Sequence, residues 1–452
     1  MEKENKMGYM PVGRLLITTS IPLMISMLIQ ALYNIVDSRF VSLINEKAFT
    51  AVSIAFPMQN LMMGLALGIG VGINSLLSKS LGEKNFKQAN LTAETGIVLS
   101  IIHSLIFIIF GLTLPTIYYK AQTSDPEIIK YGVEYLRVVT LVGVGAFFQI
   151  TFERIITSTG KTIYSMISQS IGAITNIILD PILIFGYFGL PKMGVTGAAV
   201  ATVIGQCLSA VVAFILNYHF NKEVRIKSIK WDTYTIKKIY EVGLPSFVLI
   251  SITSVAVFIM NKILNKFSST AVAAYGAYFK IQSFVFMPVF GLNNGMVPVL
   301  AYNYGAGNVD RCKQIIKFAT RTAIGILIIG FIIFQVFPKQ LLMIFNASDE
   351  LLKVGIPALR IIAISFILCG YTVASLSVFQ ALGNGVLSAV CSILRQVVVL
   401  VPAAFILSLF KDLNLVWFAY PIAELAGFSY SKYYIKHFAL NRINELKSIS
   451  TM

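Results

Sequence analysis

Thr50-Ala51-Val52-Ser53-Ile54-Ala55 opens an apolar stretch that runs to Gly72 and, ten residues on, to Gly82 in the turn Leu81-Gly82-Glu83-Lys84-Asn85. Thr270-Ala271-Val272-Ala273-Ala274-Tyr275 opens a second, which runs to Gly295 and, ten residues on, to Gly305 in Tyr304-Gly305-Ala306-Gly307-Asn308. A third pair of anchors follows. Ser124-Asp125-Pro126-Glu127 leads to Arg137, and Ser348-Asp349-Glu350 leads to Arg360. The partners lie 220 to 224 residues apart throughout. Chance likeness between apolar segments would not hold three anchors in order at one offset, so the chain reads as one half written twice. Internal repeats in an apolar chain are a mark of secondary transporters, whose substrate sites lie where the repeats meet.

Composition agrees. Of 452 residues, 56% are hydrophobic and only 12% charged, with a mean hydropathy of +0.78. That is far from the balance of a soluble chain. Apolar segments of about 20 residues or more recur, each long enough to cross a hydrocarbon core of roughly 30 Å. Twelve are expected. The first half supplies Leu15–Leu43, Ala51–Leu77, Thr92–Tyr118, Val133–Ile155, Thr162–Phe185 and Gly194–Leu216. The second supplies Ile239–Leu264, Ala271–Leu300, Ile315–Phe337, Val354–Ala381, Leu387–Leu409 and Leu415–Ile435. The expected fold class is an all-α integral membrane protein of twelve transmembrane helices in two six-helix lobes. Its expected divisions are an N-terminal segment (1–14), an N-lobe (15–218), a linker (219–238), a C-lobe (239–437) and a tail (438–452). The first apolar run is too long for a signal peptide and lacks a small-residue cleavage site, so it is read as part of the mature fold.

A net charge of +16 raises the question of a nucleic-acid partner. The placement of the basic residues answers it. With the N-terminus taken as cytoplasmic, 22 Lys and Arg fall on the inner side and 10 on the outer. That bias follows the positive-inside rule and puts both termini in the cytoplasm of a multi-pass protein of the cell membrane. A nucleic-acid surface would gather the charge into one patch or arm, and none occurs. The polar stretch from His219 to Lys238 suits a cytoplasmic linker against anionic headgroups, with Trp231 as an interfacial anchor, or a plain solvated connection.

Enzymatic readings find little support. No phosphate-binding Gly-x-x-x-x-Gly-Lys-[Ser/Thr] run is present, so transport would draw on an ion gradient or run downhill. Cys207, Cys312, Cys369 and Cys391 are scattered, with neither metal spacing nor a disulfide framework. His103, His219 and His437 are isolated. No nucleophile–base cluster suggests catalysis, and no cofactor is expected beyond H⁺ or Na⁺ as a coupling ion.

The chemistry sits in ionisable residues at membrane depth, which are costly there and face internal cavities. Asp37 lies in Tyr33-Asn34-Ile35-Val36-Asp37, with Tyr33 one turn earlier on the same helical face. Asp180 lies in Asn176-Ile177-Ile178-Leu179-Asp180-Pro181, with Asn176 one turn earlier. Desolvation disfavours a bare carboxylate. Each would therefore carry a proton or, with amides and carbonyls beside it, a Na⁺. The second half does not keep these acids. Its polar residues within spans include Asn261, Lys280, Gln282, Gln380, Arg395, Gln396 and Glu424. A division of labour is expected, with the coupling cation in the N-lobe and cavity shape or gating in the C-lobe.

These residues carry a family resemblance. Asn34-Ile35-Val36-Asp37 with Phe40-Val41, Leu81-Gly82-Glu83-Lys84-Asn85, Ser158-Thr159-Gly160-Lys161 and Asn176-Ile177-Ile178-Leu179-Asp180-Pro181 resemble the multidrug and toxic compound extrusion (MATE) family. Gly243-Leu244-Pro245, Tyr302-Asn303-Tyr304-Gly305-Ala306 and Leu382-Gly383-Asn384 fit as well. The resemblance runs from about Pro11 to Lys436 and is nearest to the DNA-damage-inducible and staphylococcal multidrug branch. It implies two lobes related by a pseudo-twofold and export of cationic amphipathic compounds in exchange for H⁺ or Na⁺. It places the cation site on Asp37, Asn176 and Asp180, with Tyr33 nearby and Thr202 as a further member. It also puts a bend of the first helix at Pro22, where proline removes a backbone hydrogen bond. Other branches carry an acid in the seventh helix where this chain has Asn261, so a C-lobe cation site of that kind is not expected.

Asn34, Asn261, Gln282, Met287 and Arg395 are the candidate substrate-cavity residues, the methionine for its adaptable thioether. No metal site is expected beyond a Na⁺ at Asp37, Asn176 and Asp180. The expected partners are small cationic substrates and membrane lipid, with no obligate protein partner, so a monomer. A lipid-linked precursor flippase of the same superfamily is the alternative. It would need more cationic residues in its cavity than Lys280 and Arg395. A membrane-embedded enzyme comes third.

Overall fold

The computed structural model describes residues 5–344 and 347–450, and no strand occurs among them. Each expected span falls on a helix or a broken helix. The first half carries α1 (Val12–Ser42), α2 (Glu46–Gly82), α3 (Phe86–Thr113), α4 in two arms (Pro126–Leu141 and Val144–Thr157), α5 (Thr162–Phe185) and α6 (Val195–Phe220). The second carries α7 (Thr233–Asn265), α8 (Ser269–Gly305), α9 (Val309–Val336) and α10 in two arms (Asp349–Ala363 and Phe366–Ala381). It ends with α11 (Gly385–Ser408) and α12 in two pieces (Leu413–Trp417 and Ala419–Tyr434). Among the described residues nine single helices are long and apolar enough to cross a membrane, and the bent pairs α4 and α10 raise that to 11. α12, interrupted at Phe418, occupies the remaining expected span.

The repeat is geometrical as well as sequential. Asn45 caps α2 by accepting from Ala48 N at 2.7 Å, and Ser268, 223 positions later, caps α8 by accepting from Ala271 N at 3.0 Å. Asp125 and Ser348 cap α4 and α10 at the same offset. Such caps satisfy amide groups that a helix start leaves without partners. α4 bends by 44° after Leu141 and α10 by 54° after Ala363, nearly the same point of the repeat. Gly160 and Gly383 both take φ +79°. At the turn after the second helix of each half, Gly307 adopts φ +71°, whereas its counterpart Lys84 holds φ +57° with a side chain attached.

The chain forms two compact units, Ile25–Gly243 and Met1–Met24 with Leu244–Met452. The changeovers fall inside α1 and α7, close to Pro22 and Pro245, through which both helices continue. The glycine anchors of the repeat explain this membership. A Cβ on Gly72 of α2 would strike the carbonyl oxygen of Ile239, so the start of α7 lies directly on α2. A Cβ on Gly295 of α8 would sit 2.5 Å from Ser20 Oγ, so the start of α1 lies on α8 in the same manner. Missing side chains allow such close approach.

In unit Ile25–Gly243 the buried core includes Phe107, Tyr119, Tyr135 and Phe147. In the other unit it is more aromatic, with Tyr275, Tyr278, Phe286, Phe334, Phe366 and Trp417. The connection between the halves is stitched down within the first unit. Asn90 Oδ1 accepts from Arg225 N at 2.8 Å, and Glu94 Oε1 accepts from Lys227 N and Ser228 N at 3.2 and 3.1 Å. Asp232 then caps α7 through Thr235, whose hydroxyl and amide hold that carboxyl below its usual range.

Candidate functional site

α1 carries Tyr33, Asn34 and Asp37 along one face, and α5 carries Asn176 and Asp180 one turn apart. α6 adds Thr202, and the first arm of α4 adds Tyr135. Within unit Ile25–Gly243 these positions converge. Asp180 is fully buried and Asn176 and Thr202 nearly so. A carboxylate only accepts, which fixes the Asn176 amide. Its nitrogen donates to Asp180 Oδ2 at 3.0 Å, and its oxygen accepts from Thr202 N at 2.9 Å and Thr202 Oγ1 at 3.2 Å.

The Asp37 and Asp180 side chains lie within hydrogen-bonding reach of each other. Two like charges so placed repel unless a proton or another cation stands between them. Asp37 Oδ1 and Asp180 Oδ1 are buried and have no hydrogen-bond partner among the described residues. The Tyr33 and Thr202 side chains line the same cavity. The arrangement is a set of oxygen ligands with two acceptors to spare, chemistry suited to a proton or a small hard cation. No group of three or more His, Cys, Asp or Glu side chains forms a metal cluster among the described residues.

A cavity of about 420 Å³ opens beside this cluster. Tyr33, Asn34, Asp37, Asn176 and Thr202 line it, together with Gln59, Tyr135, Gln149, Gln169 and Gln206. Gln59 Nε2 donates to the Tyr135 hydroxyl at 3.1 Å. Ligand sites are commonly cavities of this size with a few convergent polar groups. Behind its wall, Glu153 of the second arm of α4 is buried and accepts from Gln149, Ser168 and Gln169 at 3.1, 3.1 and 2.8 Å. The structure thus brings together six residues named from the sequence (Tyr33, Asn34, Asp37, Asn176, Asp180 and Thr202) and adds Gln59, Tyr135, Gln149, Glu153, Gln169 and Gln206. Glu153 carried a readable signal, a carboxylate inside the fourth apolar span.

The other residues named from the sequence lie in the second unit and line no part of this cavity. Asn261, Gln282 and Met287 are half-buried on α7 and α8. Arg395 sits in a π-helical turn, Leu394–Val399, and its Nη1 lies 3.0 Å from Glu424 Oε2 and 3.2 Å from Oε1. Cys369 Sγ is 3.6 Å from the same nitrogen. The guanidinium and carboxylate neutralise each other.

Comparison with known proteins matches this architecture. The chain is 27% identical to the multidrug export protein MepA of Staphylococcus aureus (strain MRSA252) over 412 residues, 90% of each chain. It is 26% identical to MepA of Staphylococcus haemolyticus (strain JCSC1435) over 403 residues, 88% of each. Among solved structures it resembles an outward-facing multidrug resistance MATE family transporter of the MOP superfamily, with TM-score 0.89, 25% identity and 99% of each chain covered. A MOP superfamily transporter from Pyrococcus furiosus, described as having a binding pocket of reverse polarity, gives TM-score 0.88 at 25% identity, again with 99% of each chain covered. The MatE family model matches residues 22–182 and 245–406, once in each half. This twelve-helix membrane protein therefore belongs to the MatE family.

Proposed function

We propose that this chain is a multidrug efflux antiporter that exports cationic amphipathic compounds across the cell membrane in exchange for H⁺ or Na⁺, with both termini cytoplasmic. The observation that carries the reading is the Asp37–Asp180 pair, whose two buried oxygens lack partners among the described residues and whose Asp37 lies on the wall of a ligand-sized cavity. The pair needs a positive charge. Asp37 faces the cavity, so an organic cation and the coupling ion compete for the same carboxylates. Loading the pair with the coupling ion lowers the affinity for substrate, and by linkage the substrate lowers the affinity for the ion to the same degree. Asn176, Thr202 and Tyr33 hold the pair in place and supply the remaining oxygens. The export activity of the MepA relatives supports the same reading.

A flippase for lipid-linked anions fits less well. No Lys or Arg is among the residues lining the cavity, and the Arg395 charge is already met by Glu424. Efflux of an organic cation from proteoliposomes under imposed pH or Na⁺ gradients tests the proposal. The native chain is expected to export under one of the gradients. Asp37→Asn is expected to bind the cation and fail to export it. Normal gradient-driven export by Asp37→Asn would overturn the assignment.

A further inference from the structure

Glu153 makes no contact with the Asp37–Asp180 pair that the mechanism uses, yet it is 4% exposed and ringed by neutral donors. Gln149 Nε2 and Ser168 Oγ each donate to Oε1 at 3.1 Å, Ser209 Oγ donates to Oε1 at 3.4 Å, and Gln169 Nε2 donates to Oε2 at 2.8 Å. An ionised carboxylate offers no donor, so both glutamine amides must turn their nitrogens toward it. A planar amide whose nitrogen is committed on one side directs its oxygen to another. Gln149 and Gln169 both line the cavity. Gln206 lines it too, and its Oε1 is buried with no hydrogen-bond partner among the described residues. One wall of the cavity thus carries three glutamine amides, of which the Gln206 oxygen has no donor among the described residues.

We propose that Glu153 is a positioning residue for this wall, fixing Gln149 and Gln169 so that their carbonyl oxygens, with that of Gln206, receive the N–H groups of a bound cation. This rests on the efflux reading above and adds a specificity to it. Cations bearing amine hydrogens are held by hydrogen bonds, whereas cations of equal charge without them are held only by charge and apolar contact. Buried acceptors left without a donor penalise the second class.

The test compares two probes on the purified full-length chain, ethidium with its two aryl amines and tetraphenylphosphonium with none. Gln149→Met and Gln169→Met are each expected to weaken ethidium binding about tenfold, the loss of one well-made hydrogen bond. Tetraphenylphosphonium binding should not weaken and should tighten by about twofold or more, since no such bond is lost and an acceptor left without a donor is removed. Glu153→Gln should shift the ratio of the two affinities in the same direction, and in the Gln149→Met/Gln169→Met background it should shift that ratio no further. Equal weakening of both probes, or no change in the ratio, would overturn the proposal while leaving the efflux reading intact. A native chain that binds and exports neither cation would remove the efflux reading itself. Should Glu153→Gln fail to fold, the two glutamine variants leave Glu153 in place and decide the matter.

Discussion

The two units treat buried carboxylates in opposite ways. In Ile25–Gly243, Asp37 and Asp180 meet each other and, among the described residues, no cationic side chain, and each keeps a buried oxygen without a partner there. In the second unit, Glu424 is met by the permanent charge of Arg395, both side chains largely buried at 8% and 17% exposure. One carboxylate site is closed by a residue of the chain itself, whereas the other has no such partner and, in the function proposed above, takes a charge that comes and goes. On that proposal, a duplicated scaffold holds a structural ion pair in one copy and an exchangeable one in the other.

The comparison yields its largest effect where the permanent partner is removed. Arg395→Met leaves Glu424 buried without its cation and is expected to destabilise the protein by about 3 to 5 kcal/mol. Arg395→Met with Glu424→Leu should recover most of that loss, as thermal unfolding in detergent will show. If the double variant is as unstable as the single, the pair is not a self-contained structural unit. Next in size, Asp37→Asn should lower gradient-driven export by about 100-fold, near the upper end of ordinary coupling energies. The stable Arg395/Glu424 double variant should keep export within about threefold of native, since that pair holds no exchangeable ion. Comparable loss in both would erase the distinction between the units.

Asn176→Leu tests the open site more finely. It removes the donor to Asp180 and is expected to raise the coupling-ion concentration needed for half-maximal export about tenfold. An unchanged ion requirement would exclude Asn176 from the site. The smallest effect concerns the turns. Lys84→Gly relieves a left-handed residue and should stabilise by up to about 1 kcal/mol, while Gly307→Lys should cost a similar amount. Equal and negligible effects at both positions would show that the turn after the second helix is not under strain in either half.

The features legible in the sequence were those written locally or periodically. The repeat, the apolar spans and the pairings Tyr33/Asp37 and Asn176/Asp180 each lie within one helix, where a spacing of four residues implies a shared face. The Gln149 and Gln169 wall was not legible. Neutral amides in apolar spans give no local signal, and their meeting depends on how α4 and α5 pack. Glu153 was readable but stands beside Arg154, so the two look like an interfacial charge pair at a helix end. The Arg395–Glu424 pair joins positions 29 residues apart on two helices, and nothing in either segment names the other. The changeovers at Met24/Ile25 and Gly243/Leu244 fall inside helices of continuous hydropathy, so composition does not mark them, whereas the polar connection before α7 draws the eye and is in fact stitched to the first unit.

The glycine contacts have an evolutionary corollary. The start of α7, from the second repeat, covers Gly72 of the first, and the start of α1, from the first repeat, covers Gly295 of the second. Each repeat therefore lends its leading segment to its sibling. A single repeat expressed alone would leave one close-packed helix face bare and one segment unseated. Two copies could satisfy both by mutual exchange, the arrangement of a domain-swapped homodimer. A half-length ancestor of this chain would on that account have worked as an interlocked pair before gene fusion joined its copies.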